Sequence, residues 1–353
     1  MPTVVQFTEP HQVELVDVPA EDLPPGHVRV RTWYSGISAG TELTAYRGTN
    51  PYLTKSWDPA ERLFVAGAPS FGYPVRGWGY SEVGEVIEVA DDVEVLSPGA
   101  VVAGIWGHRS EGLLPVAAPH WRRVPEGADP LHGVFARLGA IALNAVLAAD
   151  SRLGENVVVF GQGVIGLLAT QLARRSGARV LAVDAIGSRL ALARRLGAAE
   201  AIPADSPGGA GAAVRRLTGT AGADSAIELS GSYRALHEAI RSVVVDGTVV
   251  ASGFYQGDGT GLRLGEEFHH NRVRIIASQI GGAPLALGPR WDQRRLVGTF
   301  LDEVASGEVR VDELISHVLD VDKVAEAFRL IDSSPADALQ VVLRFPAAPT
   351  GRR

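Results

Sequence analysis

In about the first 150 residues, short β-branched segments alternate with Pro and Gly, which is typical of strands separated by turns. These segments predict a β-rich region and lie at 13–18, 28–34, 83–89 and 101–105. Residues 47–79 interrupt this pattern, because they are rich in Pro, Gly and aromatic side chains. Such a composition favours a long irregular loop that lines a binding cleft.

From about residue 152 the pattern changes to alternating strands and helices. Residues 157–160 form a continuous apolar segment, as in a strand buried on both faces. The pattern then predicts helices at 164–176 and 188–196 and strands at 179–183, 224–229, 248–252 and 273–277. This βαβ alternation predicts a doubly wound parallel sheet with helices on both faces. After it we expect helices at 296–305 and 324–330 and a closing strand at 339–345.

The chain has 353 residues, which suits two domains rather than one core. We predict a catalytic domain from residues 1–148 and 290–353 and a dinucleotide-binding domain from residues 149–289. Hydrophobic residues make up 46% and charged residues 21%, which is ordinary globular composition. The fold class expected is therefore α/β with an added β-rich domain.

Composition also excludes several classes of function. The chain has no cysteine, which excludes disulfides, thiolate catalysis and iron–sulfur clusters. Its formal net charge of −7 gives no basic surface for nucleic acid. The 18 residues 156–173 are free of charge, but glycines in their middle argue against a membrane span. We expect a soluble, cytoplasmic protein that acts on a small molecule.

A glycine-rich motif, Gly161-Gln162-Gly163-Val164-Ile165-Gly166, follows the apolar strand and opens the next helix. In this context GxGxxG is the fingerprint of a dinucleotide site, because the glycines let the backbone approach a pyrophosphate at the helix N-terminus. The alternative is a glycine-rich turn without a ligand. Asp184 lies 18 residues beyond Gly166 at the end of the next strand, where an acid bonds the adenosine ribose.

The acid at position 184 favours NAD, since a carboxylate repels the 2′-phosphate of NADP. Arg189 keeps NADP open as an alternative, because a guanidinium binds phosphate well. Short-chain reductases need Tyr-x-x-x-Lys, and none of the seven tyrosines here has lysine four residues on. That class is excluded.

The β-rich first half, the mid-chain fingerprint and the C-terminal return together resemble the medium-chain dehydrogenase/reductase superfamily. The resemblance includes residues 84–102, 189–198, 223–231 and 314–328. It implies a GroES-like catalytic domain joined to a Rossmann domain. Residues 36–42 and 79–84 resemble a branch that includes bacteriochlorophyllide dehydrogenase and cyclitol ketone reductases. On this fold we expect the nicotinamide end of the cofactor to contact Ser230, Gly231, Gly253, Phe254 and Tyr255.

The chain departs from the superfamily's zinc enzymes at the positions of the metal ligands. Where those enzymes have cysteine and histidine, this sequence has Ser38 and Tyr80, and the third ligand position falls at or beside Arg137. Hydroxyls are poor substitutes for thiolate and imidazole on Zn²⁺. We therefore predict no catalytic zinc.

Another group must then polarise the carbonyl or exchange the proton. Our hypothesis is a hydrogen-bonding cluster of Tyr80, Ser38, Thr41 and Glu42, with His108 as a further candidate. A tyrosine acting as general acid would need a pKa drawn down from about 10 towards neutrality, and no lysine is near to do this.

Four further side chains are candidates for substrate binding, with ordinary packing as the alternative: Trp78, His269, His270 and Trp291. The leading functional hypothesis is an NAD(P)-dependent, zinc-independent oxidoreductase that interconverts a secondary alcohol and a ketone of a polyol, sugar-like or cyclitol substrate. The alternatives are a zinc-less enoyl or quinone reductase that uses NADPH, and a non-catalytic NAD(H) sensor. The resemblance also implies a homodimer through residues 273–281.

Overall fold

The computed structural model describes residues 1–219 and 221–349. Its elements in chain order are β1 Thr3–Glu9, β2 Gln12–Asp17, β3 His27–Ile37, α1 Thr41–Tyr46, β4 Lys55–Asp58, β5 Leu63–Ala66, β6 Val75–Arg76, β7 Glu82–Val89, β8 Val101–Gly104, β9 Glu111–Pro115, β10 Arg122–Arg123, α2 Ala136–Ala149, β11 Asn156–Phe160, α3 Val164–Arg175, β12 Arg179–Asp184, α4 Gly187–Arg195, β13 Glu200–Pro203, α5 Ala210–Leu217, β14 Ala223–Glu228, α6 Tyr233–Ser242, β15 Val243–Ala251, β16 Arg274–Ala277, α7 Gln293–Ala305, β17 Ile315–Asp320, α8 Val324–Ser333 and β18 Gln340–Arg344. Short 3₁₀ or π turns lie at Pro51–Leu53, Pro130–Phe135, Leu264–Phe268, Leu285–Arg290, Asp312–Leu314 and Val321–Lys323.

The first compact unit comprises Met1–Arg137 and Asp312–Arg353. Its main sheet has seven strands, in the order β10-β8-β7-β3-β18-β17 with β9 also paired to β3. A smaller sheet has the order β2-β1-β6. From His27 to Thr32 the buried residues of β3 alternate, so that Val28 and Val30 enter a core with Val86, Val102 and Leu114. This period of two is the reason that the segment is a strand with one face in the core.

The second unit comprises Leu138–Val311. Six parallel strands form its sheet in the order β13-β12-β11-β14-β15-β16. The chain starts in the middle at β11, proceeds to one edge, and then returns to β14 beside β11. Ligands of doubly wound sheets bind outside the carboxyl ends of the strands at such a reversal. The fingerprint therefore lies at the expected edge of this sheet.

These observations confirm the predicted α/β fold class, with a β-rich unit and a parallel-sheet unit. The expectation for residues 47–79 was wrong in part, because this segment contains the antiparallel hairpin β4–β5. Trp57 and Phe64 face each other across this hairpin, with ring centroids 5.2 Å apart. Cross-strand aromatic pairs stabilise even short hairpins, and the Pro and Gly content of the segment concealed this one.

Within the described residues, one helical stretch, Pro130–Ala149, is long and apolar enough to cross a membrane. In its most apolar window, 67% of the stretch is buried inside the protein. A helix that packs in a protein core has the same composition, so the burial accounts for the apolar sequence.

Candidate active site

Three strand ends meet in the first unit and bring the predicted catalytic residues together. Strands β3 and β7 are antiparallel neighbours, with Ser35 opposite Glu82, and β8 pairs with β7 on the other side. Ser38 follows the end of β3, Tyr80 precedes β7, and His108 follows β8. Sheet register alone therefore places these three side chains close to one another.

Tyr80 and Ser38 form a hydrogen-bonded pair in which the phenol donates to the Ser38 Oγ. Thr41 also hydrogen-bonds the Tyr80 side chain. Burial and the charge of Glu42 raise the pKa of Tyr80 to about 12, although the bonds to Ser38 and Thr41 act in the opposite direction. A tyrosine acting as general acid was expected to have a lowered pKa. The structure instead keeps Tyr80 protonated as a hydrogen-bond donor at neutral pH.

Behind this pair lies a network of four fully buried polar side chains, Ser35, Glu42, Glu82 and His108. The Nε2 of His108 is 2.8 Å from Glu42 Oε2, and its Nδ1 is 2.5 Å from Ser35 Oγ. The Ser35 hydroxyl donates to Glu82 Oε1 at 3.1 Å, so it accepts from His108 Nδ1. His108 therefore donates from both nitrogens and lies between two acids.

The electrostatics of this network agree with its hydrogen bonds. Burial lowers the pKa of His108, but the charge and hydrogen bond of Glu42, together with the charge of Glu82, outweigh burial and raise it overall. Burial raises the pKa of the Glu82 carboxyl, against the opposing charge of His108. His108 and Glu42 were predicted as catalytic residues, and both side chains are fully buried. Glu42 acts on Tyr80 through its charge, and His108 holds Glu42 by a hydrogen bond.

Arg137 brings a positive charge to the same place. The charge of Arg137 lowers the pKa of Tyr80. Burial lowers the pKa of Arg137 itself, and the charge of Tyr80 acts in the opposite direction. His120 is close enough for Arg137 to depress its pKa as well, in addition to the larger effect of burial. The Tyr80–Ser38 pair thus lies near both the buried network that contains Glu42 and the guanidinium of Arg137.

The glycine-rich turn of the second unit has the shape that a phosphate needs. Gly161 has φ +86°, and a Cβ on Gly166 would lie 1.7 Å from the Gly161 carbonyl oxygen. Helix α3 starts at Val164 with no side-chain cap, which leaves its first amides available to an anion. Gly161 and Gly166 therefore allow the strand and the helix to approach closely, and this leaves the helix N-terminus facing the turn.

Asp184 and Arg189 flank this turn. The Asp184 carboxylate accepts the amides of Gln162 at 2.5 Å and of Ile186 at 2.8 Å, which fixes it at the end of β12. Arg189 Nη1 lies 3.9 Å from the position of a Cβ on Gly163. Burial lowers the pKa of Arg189, and the charge of Asp184 opposes that shift. A guanidinium and a carboxylate are thus both present beside the turn.

A buried glutamate links the next two strand ends. Glu228 accepts the Ser230 amide at 2.8 Å and the Gly231 amide at 3.2 Å, and it also accepts the hydroxyls of Ser230 and Tyr255. Burial raises the pKa of the Glu228 carboxyl. Burial also raises the pKa of the Tyr255 phenol, and the charge and hydrogen bond of Glu228 raise it further. A Cβ on Gly253 would lie 2.3 Å from the Gly231 amide. The predicted cofactor residues Ser230, Gly231, Gly253 and Tyr255 are therefore held together at this edge, and Phe254, which is exposed, lies beside Gly231.

Comparison with known proteins now decides the family. D-guloside 3-dehydrogenase of Escherichia coli (strain K12) is 30% identical over 348 residues, which cover 96% of this chain and 98% of that protein. This chain belongs to the medium-chain dehydrogenases/reductases. The model of the zinc-binding dehydrogenase family matches residues 164–291 of the dehydrogenase.

Two solved structures share the fold of this medium-chain dehydrogenase. One is a zinc-binding dehydrogenase from Sinorhizobium meliloti 1021 bound to NADP, with a TM-score of 0.76 and 22% identity over 98% of this chain and 99% of that chain. The other is an alcohol dehydrogenase from Escherichia coli CFT073 complexed with NADH, with a TM-score of 0.77 and 20% identity over 98% of this chain and 99% of that one. At these identities the two likenesses establish the fold.

The zinc of related enzymes does not fit the residues of this dehydrogenase. At the ligand positions, Ser38 and Tyr80 offer neutral hydroxyls that bond each other, and the guanidinium of Arg137 adds a positive charge. Zn²⁺ needs about four nitrogen, sulfur or anionic oxygen ligands. His108, the nearest imidazole in the network, has both ring nitrogens bonded to side chains.

Three of the four predicted substrate-binding residues of the dehydrogenase lie in the second unit, and Trp78 lies in the first, where its carbonyl oxygen accepts the His108 amide at 3.4 Å. His269 and His270 are exposed and precede β16, so they lie at the amino edge of the parallel sheet, opposite the glycine turn. Trp291, in the same unit, has Arg295 Cζ 4.3 Å from its ring centroid. Trp78, in the first unit, packs on Phe71 with ring centroids 4.9 Å apart. The contact of His269 and His270 with substrate therefore stays a prediction.

Sequence reasoning missed several polar residues of the dehydrogenase. Ser35 lies near the end of β3 and Glu82 begins β7, and both strands carry other polar residues, so no local signal distinguishes these two. Arg137 was noticed only as a zinc-ligand position. Glu228 ends a buried strand directly before the predicted Ser230-Gly231 turn, which is a usable signal for a polar residue that supports the turn.

Proposed function

We propose that this dehydrogenase is an NAD-dependent, zinc-independent oxidoreductase that interconverts a secondary alcohol and a ketone on a sugar-like or cyclitol substrate. The observation that carries the proposal is the Tyr80–Ser38 hydroxyl pair beside Arg137, at the positions where related enzymes hold zinc. A phenol and a guanidinium can bind a carbonyl oxygen and the alkoxide formed from it. Together they supply the electrophile that the metal supplies elsewhere.

The substrate class is supported by the relative with 30% identity, which is named for the oxidation of a guloside at position 3. A substrate whose reacting hydroxyl is flanked by other hydroxyls needs a pocket with polar groups that can form hydrogen bonds to them. The site offers hydroxyl groups on Ser38, Thr41 and Tyr80 and a partly buried imidazole on His120. These groups can exchange bonds among themselves for bonds to several substrate hydroxyls, whereas a hydrocarbon ketone offers them one oxygen.

A nicotinamide cofactor fits the glycine-rich turn of the second unit. A Cβ on Gly161 or on Gly166 would clash with the neighbouring backbone, so only glycine allows the tight turn that a pyrophosphate needs. The amides at the start of α3 and the Arg189 guanidinium would hold the pyrophosphate, and the Asp184 carboxylate the ribose hydroxyls. When bound, this cofactor supplies the hydride acceptor or donor. Asp184 favours NAD, since its carboxylate repels a 2′-phosphate.

Tyr80 provides the proton in ketone reduction. With a substrate bound, the phenol hydrogen turns from Ser38 Oγ to the substrate oxygen, and the proton is transferred as that oxygen becomes an alkoxide. An alkoxide is more basic than a phenolate even when the pKa of Tyr80 is about 12, so the transfer is favourable. The positive charge of Arg137 stabilises the anion during this step.

Once the phenol hydrogen has left Ser38, the Ser38 hydroxyl turns to donate to the Tyr80 oxygen and returns a proton to it. Ser38 regains its own proton from solvent, and Thr41 supports the phenol through its hydrogen bond. Glu42 and His108 fix the start of α1 and the electrostatic potential at the phenol, and they do not exchange protons with the substrate. In the oxidation direction the same hydroxyl chain must accept the alcohol proton. The raised pKa of Tyr80 makes this direction dependent on high pH.

The first test is a steady-state assay of glycosides and cyclitols with free ring hydroxyls, or their keto forms, with NAD(H) and NADP(H) compared. We expect turnover with a kcat/KM at least about tenfold higher for NAD, which corresponds to about 1.4 kcal/mol of repulsion at Asp184. Asp184→Asn should lower the ratio of kcat/KM with NAD to kcat/KM with NADP. The control Glu200→Gln, on the neighbouring strand, should leave that ratio unchanged. NADPH-dependent reduction of enones, or nucleotide binding without any turnover, would overturn the proposal.

A further inference from the structure

One cluster of chemistry-bearing side chains lies apart from all residues used so far. In the second unit, His237 on α6 and the consecutive acids Glu266 and Glu267 each offer a ligand atom, and these atoms lie within 4.8 Å of one another. The three residues belong to two neighbouring segments, because α6 packs on the turn Leu264–Phe268. None of them belongs to the glycine turn or to the Tyr80 cluster.

Two atoms of this cluster are buried without a hydrogen-bond partner. His237 is only 9% exposed, and its Nδ1 has no partner. Glu267 Oε2 is also buried and without a partner, although its other oxygen accepts Arg241 Nε at 3.2 Å. A buried polar atom with no partner destabilises the folded protein, and a bound ion would remove that penalty for both atoms. This is the observation that points to a ligand rather than to a group of acids.

The chemistry of the donors selects the ion. One imidazole and two carboxylates suit Zn²⁺ and similar divalent transition metals, whereas Ca²⁺ and Mg²⁺ favour oxygen ligands alone. Donors on one tetrahedral Zn²⁺ are about 3.4 Å apart, so the cluster must contract by at most about 1.4 Å. The Glu266 side chain is 53% exposed and can make this movement by changing its rotamer.

The surrounding charges leave room for a cation. Arg241 bonds both Glu238 and Glu267, and Arg263 lies 3.7 Å from Glu266. Three carboxylates thus face two guanidiniums, which leaves one negative charge in excess beside the His237 imidazole. His237 and Arg241 are four residues apart on α6 and therefore share its face, so Arg241 orients Glu267 while Oε2 stays available.

We propose that His237, Glu266 and Glu267 bind a divalent transition-metal ion of the Zn²⁺ type at a structural site in the nucleotide-binding unit. Water completes the coordination from the exposed side of Glu266. The site joins α6 to the segment before β16 and takes no part in hydride transfer. It is therefore independent of the function proposed above.

The test is isothermal titration of ZnCl₂ into the full-length protein after removal of metals with EDTA. We expect one zinc per chain, and at least about a tenfold loss of affinity in Glu266→Gln, whose exposed position leaves folding intact. His237→Gln should lose binding as well. The control His270→Ala, an exposed histidine nearby, should bind like the wild type, and so should Tyr80→Phe.

An anomalous difference map of zinc-soaked crystals provides the second readout, with a peak expected between His237 and Glu266. Absence of stoichiometric binding in the wild type, or equal affinity in Glu266→Gln and the wild type, would overturn the proposal. Loss of zinc in Tyr80→Phe with retention in both cluster variants would place the metal at the hydroxyl pair instead. That result would contradict this inference and the zinc independence of the active site together.

Discussion

At the scale of single residues, the site depends on the ionisation of one phenol. Tyr80 has hydroxyl neighbours that lower its pKa, but burial and the Glu42 charge raise it to about 12. A pKa of 12 means that each unit of pH below 12 reduces the phenolate population about tenfold. Reduction of a ketone needs the protonated form, and oxidation of an alcohol needs the ionised one.

The pH dependence of the two directions should therefore differ. We expect log kcat for alcohol oxidation to rise with a slope near one between pH 7 and 10, while kcat for ketone reduction stays flat over that range. Tyr80→Phe should lower kcat by about 10²–10⁴ and remove the slope. Tyr34→Phe, a buried phenol on β3, serves as the control with unchanged kinetics. A flat oxidation profile in the wild type would remove Tyr80 from this role.

At the scale of elements, hydrophobic periodicity predicted most strands and helices because each buries one face or both. The fingerprint helix and the strands around it were found within a few residues of their observed bounds, for example β11 at 156–160 against the predicted 157–160. The hairpin β4–β5 was missed, since its strands have only four residues each, none of them buried, and their sequences show no alternation of apolar and polar residues. His108 and Glu42 were found as candidates, but their complete burial depends on pairing among β3, β7 and β8, which no local pattern reveals.

The turn after β14 gives a prediction at this scale. Glu228→Gln removes a carboxylate that accepts four hydrogen bonds, so the Ser230-Gly231 turn should lose its fixed position. We expect the KM for the nicotinamide cofactor to rise about tenfold or more, with a smaller change in kcat. Tyr255→Phe removes one of these bonds and should have a weaker effect of the same kind. A fall in kcat at unchanged KM would assign Glu228 to the chemical step instead.

At the scale of the whole molecule, the edge of the parallel sheet is open. Strand β16 is last in the order of six, all four of its residues are exposed, and Ile275 and Ile276 are 36% and 37% exposed. An edge strand with exposed apolar side chains favours pairing with another edge. We propose a homodimer in which two β16 strands pair.

Light scattering after size exclusion tests this dimer. The wild type should have about twice the chain mass of 37.2 kDa, and Ile275→Glu combined with Ile276→Glu should give the monomer. Val318→Glu changes an exposed residue of β17, an edge strand of the other main sheet, and should leave the dimer intact. A monomeric wild type, or dissociation caused equally by Val318→Glu, would contradict pairing through β16.

The central claim is that hydroxyl and guanidinium groups act where relatives use a metal. The measurement that tests it most directly is kcat of the ketone–alcohol reaction after exhaustive EDTA treatment, with zinc content determined in the same sample. We predict unchanged kcat in metal-free protein, whether or not the His237 cluster had held zinc before. Loss of turnover on chelation, restored by ZnCl₂ in the wild type and in His237→Gln alike, would show that a metal acts at the active site and would contradict the account.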